Sequence, residues 1–242
     1  MIDQLKTDVV AIGKQMVAYN YSAPTDGNIS FKVKDRIFIT QSSKAKDLLT
    51  EEDMIEVSAE GEVLTKGKKA STELDLHLVV YKERPDIQAV VHAHPPYATA
   101  FAVAHIPLDL NSMSEIVSTL GVVPLAEYGT PSTKELPDSL LPFIHKCNAM
   151  LLANHGAITY GESLQQAWYG MQRLEHYAKI SYFARQLGGE KEISQHNVDK
   201  LVEIRKNVYQ IESPMFLNSS QEEIHTEREE IKKQILNLMK QL

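Results

Sequence analysis

Residues 89–94 read AVVHAH and residues 149–156 read AMLLANHG. Each is a short apolar run of strand length with β-branched or aliphatic residues, and each ends in polar residues. Two buried strands that both deliver histidine at their carboxyl ends are therefore predicted. Residues two apart on a strand share a face, so His92 and His94 can reach one ion together. By itself an H-x-H pair is as often two polar side chains at a strand end. His155, followed by Gly156 with its room for close backbone approach, adds a third imidazole. Three neutral imidazoles suit Zn²⁺ and related divalent ions and leave a position for water, substrate or a carboxylate.

Outward from these strands the pattern mixes helices and strands. Leu5, Val9, Ile12, Met16 and Tyr19 recur at helical spacing, so an amphipathic helix opens the chain and ends near the turn-rich SAPTDGN stretch. Residues 36–40 and 54–57 read as strands, and T-E-E-D after Thr50 offers a short capped helix. Ser71 or Thr72 caps a helix closed by Pro85. Leu164, Ala167, Trp168, Met171, Leu174, Ala178 and Phe183 predict a long helix from Ser163 to about Leu187, stopped by Gly188-Gly189. Two further helical segments, roughly 194–212 and 220–241, follow as a tail whose simplest role is packing against the domain or a neighbouring subunit. Strands and helices around one core predict an α/β fold.

The 242 residues, 43% of them hydrophobic, suffice for one sizeable core. The formal charge of −7, from 25 Lys plus Arg against 32 Asp plus Glu, comes with no basic stretch to follow a phosphate backbone, so no nucleic-acid partner is expected. A single cysteine, Cys147, rules out both an intrachain disulfide and a cysteine metal cage. Neither a signal-type apolar segment nor an 18-residue apolar run occurs, so a cytoplasmic protein with no membrane partner is expected.

Glu73 sits in KASTELDLH, where its simplest role is a first-turn carboxylate favoured by the helix dipole. Ser71 and Thr72 beside it offer hydroxyls and backbone N–H groups suited to an anion, which makes Glu73 a candidate proton shuttle between a metal and a phosphate. Gly27-Asn28-Ile29-Ser30 and Thr40-Gln41-Ser42-Ser43 read as compact donor-bearing loops flanking a strand, ordinary turns when taken singly. Of the other histidines, His105, His145, His176, His196 and His225 read as structural or solvated, and only His77 stands as a further candidate.

Taken as a set, G-N-I-S at 27–30, S-T-E-L-D-L-H at 71–77, H-A-H at 92–94 and H-G at 155–156 resemble the class II aldolase/adducin family, over roughly residues 5–188. The resemblance implies a single-domain three-layer α/β/α sandwich around a mixed, largely antiparallel sheet. A catalytic domain would span residues 1–190 and a helical C-terminal extension residues 191–242. The resemblance makes His92, His94 and His155 the ligands of Zn²⁺, or of Mn²⁺ or another divalent ion, and Glu73 the catalytic acid/base. Asn28, Ser42, Ser43, Ser71 and Thr72 would bind the substrate phosphate. Ser43 stands where the family usually has glycine, and a glycine needing φ > 0 is not replaced freely.

The chemistry so implied is retro-aldol cleavage of a ketose 1-phosphate, L-fuculose 1-phosphate or a related 5-deoxypentulose 1-phosphate, to dihydroxyacetone phosphate and an aldehyde. Fuculose-phosphate aldolases use a tyrosine shortly after the region matching Ile106-Pro107. LDLNSMSEIV holds none here, and Tyr128 and Tyr209 stand as candidates for the hydroxyl base instead. An L-ribulose-5-phosphate 4-epimerase is an alternative, although those enzymes typically carry aspartate at the position of Glu73. A methylthioribulose-1-phosphate dehydratase, a sugar-acid-phosphate decarboxylase and a non-enzymatic adducin-like scaffold complete the alternatives. Family members are commonly homotetramers with active sites at subunit interfaces, and the same assembly is expected here.

Overall fold

The computed structural model describes residues 1–211. A seven-stranded sheet comprises β1 (Asn28–Val33), β2 (Arg36–Thr40), β3 (Met54–Val57), β4 (Ala89–Ala93), β5 (Leu125–Ala126), β6 (Ala149–Leu152) and β7 (Gly156–Gly161). Their spatial order is β3-β2-β1-β4-β7-β6-β5. Every neighbouring pair is antiparallel except β5 with β6. The sheet is thus mixed and largely antiparallel, as expected.

The period-two alternation of the central strands divides the apolar residues into two cores. On one face Ile29, Phe31, Ala89, Val91, Ala93, Leu151 and Ala157 pack beneath three helices, α1 (Ile2–Ala18), α3 (Pro96–Val103) and α6 (Leu164–Gln186). On the other, Ile37, Ile39, Ile55, Val90, Met150 and Ile158 meet α2 (Leu74–Glu83) and α5 (Glu135–Leu140). Two short or peripheral helices, α4 (Ser114–Val117) and α7 (Gln195–Asn207), pack on each other. The three-layer sandwich follows from these two cores.

The periodic helices lie where their apolar spacing puts them. Ser163 caps α6 by accepting from the backbone N–H of Gln166 at 3.2 Å. Thr50 forms its capping arrangement with Asp53, but the helix it caps is a single 3-10 turn, Glu51–Asp53. The helix expected from Ser71 begins later, at Leu74. Ser71 folds into a tight turn instead, its Oγ accepting from Glu73 N and its carbonyl from Leu74 N. Strands β1 and β7 depart from the sequence expectation, which makes residues 27–30 a loop and assigns no strand after His155. The tail segment at 194–212 is realised as α7, whose Val198 is buried. The segment at 220–241, together with His225, lies outside the described residues. Among the described residues no helix is long and apolar enough to cross a membrane.

Helix α3 begins two residues after His94 and has an unusual start. Pro95 stands at its N-cap with no side-chain acceptor, and Pro96 at its first position has no N–H. Two orphan donors of the first turn, the backbone N–H groups of Tyr97 and Ala98, are satisfied by the carboxylate of Glu175 from α6, at 3.1 and 2.9 Å. The negative charge also complements the helix dipole. Replacing Glu175 with Ala is expected to cost about 1–2 kcal/mol, or a Tm fall of roughly 2–8 °C at this chain length. Glu175→Gln, which keeps an acceptor, should lose less; equal losses in urea and thermal denaturation would show that the carboxylate does not act as the cap.

Candidate active site

Strand β1 lies between β2 and β4, and its register sets Asn28 opposite His92. His92 is fully buried, and its Nδ1–H donates to the carbonyl of Ala157 on β7 at 2.9 Å, which leaves the Nε2 lone pair facing inward. His94 follows the strand, fixed by its backbone N–H to the Tyr21 carbonyl at 2.7 Å. His155 ends the β6–β7 turn, where Asn154 adopts the left-handed φ of 56° that asparagine tolerates. The His92 ring meets those of His94 and His155 edge-on, the latter two are tilted to each other, and the centroids lie 4.7 to 5.1 Å apart. One donor nitrogen from each lies within 4.8 Å of the others. Gly156 permits this approach, since a Cβ there would stand 2.5 Å from Cδ2 of His94 and 2.6 Å from the Ala93 carbonyl.

Because of the Ser71 turn, Glu73 precedes the first helical residue and its carboxylate reaches across to the histidines. Oε1 lies 3.2 Å from His155 Nε2 and Oε2 lies 3.5 Å from His92 Nε2. Oε2 also accepts from Asn28 Nδ2 at 2.7 Å. Burial works to raise the Glu73 pKa, yet the neighbouring imidazoles of His92 and His155 and the Asn28 amide hold it well below the ordinary carboxylate range. Burial, in turn, lowers His92 to about 4 and His94 to about 3. Neutral imidazoles beside an ionised carboxylate are the protonation states a divalent cation requires. The buried Nδ1 of His155 has no hydrogen-bond partner, an orphan polar atom in an otherwise satisfied cluster. The donor set therefore fits a metal ion.

Behind Glu73 runs a buried relay that the sequence did not reveal. Tyr81 OH and Ser30 Oγ are 2.7 Å apart, and Ser30 Oγ lies 2.7 Å from His77 Nδ1. His77 Nε2 meets Asn28 Oδ1, and the Asn28 amide donates to Glu73. One direction satisfies every member, from the tyrosine hydroxyl through serine and imidazole to the amide and the carboxylate. Burial lowers His77 to about 4, so it takes part as a neutral ring. A fully buried histidine on a helix looks, in sequence, like any core polar residue; its signal was the i, i+4 spacing from Glu73.

The site opens into a cleft of about 290 Å³ lined by Thr25, Asn28, Ser42, Ser43, Ser71, Thr72, Glu73, His94 and His155 among others. Asn28, Ser42, Ser43, Ser71 and Thr72 therefore line one cleft together with His94 and His155. Ser43 has φ of 57°, the conformation a glycine would hold without strain. The loop keeps the left-handed turn despite the serine. Tyr128 and Tyr209 do not join the site within one chain: both are about half exposed, and Tyr209 lines a separate pocket beside Arg173 and Arg205. His105 pairs with Asn154, His145 with Glu83, and His176 and His196 are exposed.

Three imidazoles and an acid beside the central strands of a layered α/β fold make a site that could hold a divalent metal ion. The chain belongs to the class II aldolase family, matching the Class II Aldolase and Adducin N-terminal domain over residues 7–182. It is similar to 5-deoxy-D-ribulose 1-phosphate aldolase of Bacillus thuringiensis serovar kurstaki, 30% identical over 204 residues, 83% of this chain and 95% of the relative. It is also similar to 3-oxo-tetronate 4-phosphate decarboxylase of Escherichia coli (strain K12), 30% identical over 83% of this chain and 95% of that one. A solved L-fuculose 1-phosphate aldolase superimposes with a TM-score of 0.78 at 30% identity, covering 84% of this chain and 96% of that chain.

Two substitutions probe the geometry. Gly156→Ala should displace the His94 ring and weaken metal binding by about 10–100-fold, read by competition with a chelator; native affinity would mean that His94 does not hold the ion. Ser43→Gly should relieve the left-handed strain and raise stability by about 1 kcal/mol, read by urea denaturation. A loss of stability would show that the serine side chain contributes more than its strain costs.

Proposed function

We propose that the protein is a divalent-metal-dependent aldolase that cleaves a ketose 1-phosphate to dihydroxyacetone phosphate and an aldehyde, with L-fuculose 1-phosphate or a 5-deoxypentulose 1-phosphate as substrate. The observation that supports it is the convergence of three imidazoles and one ionised carboxylate beside a cleft of small hydroxyl and amide donors. His92, His94 and His155 would hold Zn²⁺, with Mn²⁺ or another divalent ion as substitutes. Such an ion supplies the electrophile that stabilises the negative charge left at C2–C3 when the C3–C4 bond breaks.

The protein's own residues do the rest. Asn28, Ser42, Ser43, Ser71 and Thr72 bind the substrate phosphate and orient the ketose. The C4 hydroxyl loses its proton to the hydroxyl base as the aldehyde forms, and Glu73, after taking up a proton from solvent, delivers it to C3 of the released three-carbon fragment. In the condensation direction the Glu73 carboxylate removes that same proton, and its depressed pKa keeps it in the required ionised form. The base for the hydroxyl is Tyr128 or Tyr209. Neither lines the cleft of its own chain, so either would reach it from a neighbouring copy in a homotetramer with sites at subunit interfaces. We place the catalytic unit in residues 1–190, with residues 191–242 as a C-terminal extension packed on it or on a neighbour, and the enzyme in the cytoplasm.

A second reading has an observation of its own. Among the described residues no tyrosine lines the cleft, and decarboxylation of a phosphorylated 3-oxo acid needs the same electron sink and proton donor but no hydroxyl base. The similarity to 3-oxo-tetronate 4-phosphate decarboxylase is as extensive as that to the aldolase.

His94→Ala is expected to lose metal and turnover together. Glu73→Gln, nearly isosteric, should keep its metal by elemental analysis while turnover falls by about 10²–10⁴-fold. Substantial turnover in Glu73→Gln would remove the carboxylate from the proton-transfer step.

A further inference from the structure

Lys46 has no part in the chemistry above, yet among the described residues it is the only buried lysine. It is 1% exposed and lines the same cleft as Ser42, Ser43, Ser71 and Thr72. Its Nζ donates to the Thr25 carbonyl at 3.0 Å and the Lys44 carbonyl at 2.9 Å. The first belongs to the loop that leads into β1 and Asn28; the second belongs to the loop that carries Ser42 and Ser43. One ammonium thus clamps both loops. Its backbone is pinned as well, by Lys46 N–H to the Pro24 carbonyl at 2.7 Å and by α1. That helix comes so close that a Cβ on Gly13 would stand 2.4 Å from the Lys46 carbonyl oxygen.

Burying an ammonium is costly unless something compensates for lost hydration. Two of its three N–H bonds have protein acceptors, both neutral carbonyls. Burial lowers its pKa to about 8, against the opposing pull of Asp26 and Glu73. The five side chains that face the proposed phosphate are all uncharged, and the acids in the cleft, Asp26 and Glu73, make it unfavourable for an anion. The neighbouring Lys44 is engaged with Asp53 at 3.2 Å, as is Lys68 at 3.6 Å. A phosphate monoester carries close to two negative charges at neutral pH. Lys46 is the cation of the cleft available to meet them.

We propose that Lys46 is the charge partner of the substrate phosphate: a positioning residue that holds the Thr25–Asn28 and Ser42–Ser43 loops around the anion and makes the cleft selective for a phosphate dianion over an uncharged sugar end. This rests on the reading of the cleft as a phosphate site and assigns its selectivity to one residue. An arriving dianion favours the protonated lysine, so binding takes up a proton wherever the free lysine is partly neutral.

The test is calorimetric titration of the full-length, metal-containing protein with inorganic phosphate, in two buffers of different ionisation heat. At about pH 9, where phosphate is already dianionic, the native protein should take up protons on binding, and its affinity should decline as pH rises through about 8. Lys46→Met should bind phosphate at least about tenfold more weakly at neutral pH, show no proton uptake and retain its metal. Ser71→Ala should also bind more weakly but keep the proton uptake. Phosphate binding by Lys46→Met within twofold of native, with the native pH dependence, would reduce the lysine to a structural strut and overturn the proposal. If neither variant alters phosphate binding, the anion lies elsewhere and the phosphate reading of the cleft fails instead. Should Lys46→Met not fold, Lys46→Gln takes its place in the same titration, and phosphate binding within twofold of native by that variant overturns the proposal.

Discussion

The side chain of Glu73 is only 12% exposed and shares its space with three imidazoles. A carboxylate persists there because each oxygen has a partner and because the Asn28 amide that approaches it is itself held in one orientation by His77. That orientation requires β1 beside β4, so that Asn28 faces His92, and α2 across the sheet face, so that His77 and Tyr81 meet Ser30. The Ser71 turn then has to end the approach to α2 one residue after Glu73. Fold and site are therefore coupled at one hydrogen-bond relay: loosen it and the carboxylate loses its aim at the three histidines while the sheet keeps its core.

The legible parts of the molecule were those whose signal is a period. His92 and His94 stood out because two residues separate same-face positions on a strand, and α6 because its apolar residues repeat over 23 positions. Strand β1 was hidden for a physical reason. Its face toward α2 carries Asn28 and Ser30, buried polar residues satisfied by the relay, and a strand with polar residues inside looks like a turn-rich loop. Neither Lys46, in the charged stretch K-A-K-D, nor Glu175 on α6 carries a local signal that sets it apart from other charged residues. In each case the meaning lies in a contact with a distant segment, which no local pattern carries.

The serine at position 43 shows how resemblance and geometry divide the work. A departure from glycine suggested a changed loop, but the left-handed backbone is kept, and its strain is tolerated within a loop braced by Lys46 and by the ion pair of Lys44 with Asp53. Aldol cleavage and decarboxylation of a 3-oxo acid both generate negative charge next to a carbonyl, so one set of imidazoles and carboxylate would suit either. What separates them is the group that leaves, and so the groups around the far end of the substrate.

The central claim is that this site breaks a carbon–carbon bond of a ketose 1-phosphate with the help of a bound metal. A coupled assay for dihydroxyacetone phosphate release, run on a panel of ketose 1-phosphates with and without EDTA and with Zn²⁺ or Mn²⁺ restored, tests it directly. Release that EDTA abolishes and metal restores is the result the account requires; metal-loaded protein that releases no dihydroxyacetone phosphate from any of them would contradict it.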